Sequence, residues 1–325
     1  MQIEKINGNR NYLNNPEFRT EEGYLDLDKI PYTKLKKYYW EGHYSLGYVM
    51  FPDKSIFFMK NTEKNDKIHL FNNIIIPEIA KQAGIETAFY LIAYSANNDK
   101  LYLLSPNFLN KNEELIYDFE MVNKSLYTNN DEIYKNLDID FLLNNRYNYL
   151  SSKSVPAKHI EKMQNEFLIQ SFFSKFIDQT DEKMENTALI VDGNNYRVAP
   201  LFDTDYSTLS ANYGVRRYVD NDKRKNDLTS FLKHFSNNQN LIQFISHFIN
   251  IFDIDTAIKN AEIETGVAIP DGIKIKYIDF FNRRLDLLKE FMISKNLLPN
   301  INHENNLEND FQKHSNITPP EDLDR

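Results

Sequence analysis

Asp181-Glu182-Lys183-Met184-Glu185-Asn186 places an acid and an amide at either end of a short polar stretch, and Ala199-Pro200-Leu201-Phe202 leads a little further on to a second acid, Asp203. Hard cations such as magnesium take oxygen ligands, keep several waters, and are held by one or two carboxylates together with substrate phosphates. Asp203 and Asn186 fit the metal-holding part of that chemistry, which leaves Asp181 to orient a nucleophilic hydroxyl. Each piece has a plainer reading: an Asp and an Asn at this spacing arise by chance, and Asp203 alone reads equally as a cap or turn residue. What gives the set meaning is the chain between its members.

Ala188–Val191 is a short apolar strand, Asp192-Gly193-Asn194-Asn195 is a turn, and Tyr196–Leu201 returns. The two strands of such a hairpin run antiparallel, so Asn186 and Asp203 emerge at the same open end. Asp181 lies on the loop, Asp178–Glu185, that feeds this end. Ahead of the loop, Ile169, Phe172, Phe173 and Phe176 follow helical spacing within Met163–Ile177.

The first third of the chain reads as a sheet carrying one helix. Residues 1–40 give few signals. Gly47–Phe51 and Ser55–Lys60 form a hairpin about Pro52-Asp53-Lys54, and residues 61–71 read as a loop. Ile74–Ala83 is a helix with Pro77 in its first turn and Gly84 as its stop. Thr87–Tyr94 and Leu101–Leu104 are strands, and Pro106 ends the second. From about residue 110 the pattern turns helical. Residues 204–226 are polar and aperiodic; Arg216, Arg217, Lys223, Arg224 and Lys225 read there as a solvated basic loop. Leu241–Phe252 and the stripe Ile278, Phe281, Leu285, Leu288 and Met292 are helical. Beyond Pro299 the Asn-, Glu- and Asp-rich composition predicts a disordered tail.

Asp181-x-Lys183-x-x-Asn186 resembles the catalytic loop of protein kinases, and Ala199–Asp203 resembles the A-P-[LI]-[FY]-D segment of the HipA-like, or CtkA-like, serine/threonine kinases. The resemblance implies Asp181 as catalytic base with Lys183 beside it, and Asn186 and Asp203 as magnesium ligands. Upstream, Ser55–Lys60 resembles the strand that ends in an ATP-contacting lysine, so Lys60 is expected on phosphate oxygens. Glu41–Gly47 falls at the phosphate-covering loop, with Gly42 and Gly47 its glycines. Ile79–Ile85 resembles the family's helix end, and Leu101–Phe108 its last strand and hinge, with adenine expected near the backbone of Leu104 and Ser105. The sequence departs from the family's G-N-x-D-x-H-x-x-N, reading Asp178-Gln179-Thr180-Asp181-Glu182-Lys183-Met184-Glu185-Asn186. The glutamate that should pair with Lys60 aligns with Asn73; Glu78, about a turn further on, is the substitute.

The expectation is an α+β, two-lobed protein-kinase-like fold: an antiparallel-sheet lobe over residues 1–108, a mainly helical lobe over 109–299 and a tail over 300–325. ATP and Mg²⁺ are the implied cofactors, and Ser or Thr of a protein the implied acceptor. A small-molecule kinase, a non-catalytic nucleotide-binding module and a magnesium-dependent phosphohydrolase are the rival readings. Composition bounds these. With 41% hydrophobic and 14% aromatic residues the chain can build a core, and with no cysteine it has neither disulfides nor thiolate metal sites. Its seven histidines lack metal-ligand spacing. A net charge of −9 argues against nucleic-acid binding. No leader-like or spanning apolar segment is read, which makes a cytoplasmic protein the expectation.

Overall fold

The computed structural model describes residues 15–39, 45–62, 67–110, 112–121, 139–179, 186–204, 207–209 and 221–297. The expected tail and the basic pair Arg216 and Arg217 lie outside them.

The first lobe is a sheet of order β1-β5-β6-β4-β3-β2. Its strands are β1 (Leu25–Asp26), β2 (Thr33–Tyr39), β3 (Ser45–Met50), β4 (Ile56–Thr62), β5 (Leu91–Ser95) and β6 (Lys100–Pro106). β2, β3 and β4 form an antiparallel meander, β4 pairs with β6 and β6 with β5, while β1 runs parallel to β5. The β3–β4 turn is the expected one, with Lys54 at φ 68 and its N–H donating to the Phe51 carbonyl. β1 and β2 fall within residues 1–40, where the sequence pattern carries few signals.

Helix α1 (Lys67–Gln82) connects β4 to β5 and starts well before the expected Ile74. Pro77 is therefore inside the helix rather than in its first turn. Every residue from Ile68 to Ala80 is buried. A helix buried all round draws its stability from the core rather than from one face, which is how it accommodates an internal proline. Gly84 ends it with φ 69. β5 is shorter than expected: Thr87 leaves the sheet to make a parallel bridge with Leu201, which in turn is not part of the return strand.

The second lobe holds α2 (Asp118–Met121), α3 (Ile139–Ser152), α4 (Ala157–Phe176), α5 (Asn221–His234), α6 (Gln239–Ile251), α7 (Ile254–Thr265) and α8 (Asp271–Ser294). Lys223–Lys225, expected in a loop, are in α5. The lobe also carries a small sheet, β7 (Glu114–Tyr117), β8 (Ala188–Asp192) and β9 (Asn195–Val198), of which β7 was read as helical. One core cluster joins the lobes: Ile92, Leu101 and Leu103 of the first sheet pack with α1 and with Phe172, Phe176, Phe248, Tyr277 and Phe281 of the helices. Among the described residues no single helix is long and apolar enough to cross a membrane.

Candidate active site

The β8–β9 register pairs Leu189 with Val198, and the Ala199 N–H donates to the Ala188 carbonyl. Residues 186–187 and 199–203 therefore leave the hairpin at the same end, as the spacing required. The segment 199–203 is held on its other side by the strip that follows α1. The Leu201 N–H donates to the Glu86 carbonyl at 2.8 Å and the Ala88 N–H to the Leu201 carbonyl at 2.7 Å.

Asp203 sits at the end of this strip with φ 56, a left-handed conformation that a non-glycine residue adopts at some cost. Two side chains hold it there. Its N–H donates to the Tyr90 hydroxyl at 3.0 Å, and its carbonyl accepts from Gln179 Nε2 at 2.8 Å. Its carboxylate points back at the first lobe, where Lys60 Nζ lies 2.7 Å from Oδ1. Lys60 is largely sheltered, with 15% of its side chain exposed, against 36% for Asp203. The contact closes 143 residues of chain and is the point where the sheet meets the hairpin end.

Other expected residues are placed differently. Glu78 is buried on the side of α1 that faces α7, with Lys81 Nζ 3.6 Å from its Oε2 and Glu264 nearby. It does not pair with Lys60. Burial raises its pKa, Lys81 pulls the other way, and Glu264 adds to the rise. Asn73 turns its amide onto its own helix, donating to the His69 carbonyl. The lysine's contact across the lobes is thus with Asp203, not with Glu78. Gly47 lies inside β3, opposite Lys37 and Met59, and not in the loop. Gly42, Asp181 and Lys183 lie outside the described residues.

Leu104 and Ser105 are both within β6, paired to Leu91 and Phe58. The Asn107 N–H donates to the Ile56 carbonyl, so alternation along the strand turns the polar groups of Ser105 to β4 and those of Leu104 to β5. Both backbones are consumed by the sheet. The first group that points past the start of β5 is the Pro106 carbonyl, and the connector to β7 follows. Phe202 walls this region, stacked on Phe108 at 6.1 Å and edge-on to Tyr117 at 6.5 Å.

Tyr90 and Gln179 were missed by sequence reasoning. Gln179 had a signal, since it stands where the family pattern has an amide-bearing asparagine. Tyr90 had none, because its bond to Asp203 is tertiary.

No protein-family profile matches the sequence, and no curated protein matches it. Solved structures do. The chain is similar to the proinflammatory kinase CtkA of Helicobacter pylori, at 13% identity and a TM-score of 0.55, over 78% of this chain and 95% of that one. The chain has the two-lobed kinase fold. A looser likeness, at 13% identity and a TM-score of 0.47, is to HipA of Shewanella oneidensis MR-1, solved with HipB and operator DNA; it covers 80% of this chain but only 64% of that one. Lys60 on β4 and Asp203 after the hairpin meet where the sheet lobe faces the second lobe.

Proposed function

We propose that this kinase-fold chain transfers the γ-phosphoryl group of ATP to a hydroxyl, with Ser or Thr of a protein as the acceptor class. The observation that carries the reading is the Lys60–Asp203 contact across the lobes. A lysine and an acid from opposite sides of a cleft, the acid held at φ 56 by Tyr90 and Gln179, is the arrangement a bound polyphosphate and its cation require. The donor set fits magnesium: Asp203 offers a carboxylate and Asn186 an amide oxygen, hard ligands without sulfur or imidazole. When bound, the metal would neutralise charge on the phosphate oxygens. Lys60 adds a second positive charge to the same oxygens, and Asp181 orients the attacking hydroxyl and accepts its proton. The Pro106 carbonyl and the connector after it would meet the base, with Phe202 packed beneath. Protein as the acceptor comes from the family resemblance. The lobes divide at this connector, near residue 108.

The test is labelling with γ-labelled ATP and Mg²⁺, with wild type beside Asp181→Ala and Asp203→Ala, using the protein itself and a lysate as acceptors. Label is expected in the wild type and lost in both variants. Unchanged labelling in both would sink the assignment. One observation favours a second reading: with Gly47 inside β3, the stretch between β2 and β3 has only Gly42 to give its backbone freedom near phosphate. Nucleotide binding without transfer would identify a binding module, and label appearing only in small molecules would identify a small-molecule kinase.

A further inference from the structure

We propose that the buried Asp118–Arg146 pair is a positioning device for Asn186, acting through Thr187; this rests on the reading of Asn186 as a metal ligand. Asp118 and Arg146 are each 2% exposed and bond through two parallel contacts, Nε to Oδ1 at 2.6 Å and Nη2 to Oδ2 at 2.8 Å. Arg146 also lies 3.7 Å over the Phe167 ring. Such a pair is weak evidence for stability, because desolvating both charges offsets most of their attraction, and apolar residues of the same size often do as well. What this pair does have is a specific third partner. The Thr187 hydroxyl donates to Asp118 Oδ2, and the Asp118 N–H donates to the Thr187 carbonyl at 3.1 Å.

The position of Thr187 explains why this matters. β7 and β8 pair up to Tyr117 opposite Ala188. Asp118 and Thr187 are the next residues on each strand, so their backbone bond extends the ladder by one step and the side-chain bond locks it. Asn186 is the first residue beyond that lock. Thr187 itself is fixed at its own carbonyl and at χ1, which sets where the chain to Asn186 starts, and Arg146 orients Asp118 through both carboxylate oxygens. Partners of this kind, one step removed from a metal ligand, typically change metal affinity by about 10- to 100-fold when removed.

Asp118→Ala would leave Arg146 charged and buried, and is expected to unfold the lobe. Thr187→Val is the informative variant, because it keeps the shape and leaves the ion pair intact. The measurement is calorimetric binding of a non-hydrolysable ATP analogue to the full chain at a series of Mg²⁺ concentrations, with the urea midpoint taken alongside. Thr187→Val is expected to raise the Mg²⁺ concentration at half-effect by about tenfold. Binding of the analogue without Mg²⁺ should match the wild type, and Thr187→Ser should restore the wild-type Mg²⁺ dependence. An unchanged Mg²⁺ dependence in Thr187→Val overturns the proposal while leaving the function standing. Equal weakening with and without Mg²⁺ also overturns it, since that is the mark of a general structural loss. A wild-type chain whose analogue binding ignores Mg²⁺ overturns both this proposal and the metal reading beneath it.

Discussion

On the proposed function, Lys60 and Asp203 form a polar contact expected to matter for chemistry while adding little to stability. The pair is partly exposed, and ion pairs of that kind contribute about 0–1 kcal/mol. Lys60→Met is therefore expected to shift the urea midpoint only slightly while lowering phosphoryl transfer by about 100-fold or more. A matching loss of fold in circular dichroism would assign the lysine to structure instead. Glu78 is the converse, a buried acid that the resemblance would place in the site and the structure does not. Its pKa is raised chiefly by burial. An acid that binds its proton more tightly when folded favours folding at low pH, and that contribution is lost as pH rises through the folded pKa. Glu78→Gln should therefore melt above wild type at about pH 7, with the gap closing toward about pH 4, near the ordinary carboxylate range. It should also keep full labelling activity, whereas loss of labelling at unchanged stability would return Glu78 to the site.

The connections between elements decide where those residues sit, and they are the part least visible in sequence. The β8–β9 hairpin, α4 and α8 were legible because apolar periodicity and turn residues agree over their length. β7 was not, because Glu114-Leu115-Ile116-Tyr117 is too short to show alternation and finds its identity only by pairing with β8. The true start of α1 was hidden by Asn72 and Asn73, which interrupt its apolar residues, and by Pro77, whose burial in the core overrides its poor helix propensity. β1 is a two-residue strand stabilised by contacts from elsewhere. The chain around it is strapped to the second lobe, with Arg19 Nη1 donating to the carbonyls of Gly23 and Thr265 at the end of α7. Gly23 makes this strap possible: its φ is 84, and a Cβ there would stand 1.9 Å from the Gly266 carbonyl oxygen. Gly23→Ala is expected to cost about 2 kcal/mol or more, through overpacking and backbone strain together. Chemical denaturation would show it, and a midpoint equal to wild type would mean the strap can be released without penalty.

Two lobes sharing one core should not behave as two independent bodies. α1 belongs to the sheet by sequence but is buried among the helices, and its two adjacent asparagines, Asn72 and Asn73, bond to protein groups. Asn72 shows the pattern: its amide donates to the Ser207 carbonyl at 2.7 Å, and its own oxygen accepts from the Tyr277 hydroxyl at 2.6 Å. One buried side chain thus ties α1, α8 and the segment that follows Asp203. Arg284, two turns along α8 from Tyr277, donates to the carbonyls of Lys175 and Phe176 at the end of α4. α8 therefore braces both the end of α4 and the segment that follows Asp203. A helix held in this way gives α1 no room to swing as a unit, so the lobes are expected to unfold together. Tyr277→Phe removes one hydroxyl from this brace and leaves the Asn72 oxygen buried without that donor, at a cost of about 1–3 kcal/mol. The expected result is a lower midpoint that remains a single transition by fluorescence and circular dichroism, together with reduced labelling because the Asp203 segment loses its support. Two separated transitions in the wild type would show instead that the shared core does not couple the lobes.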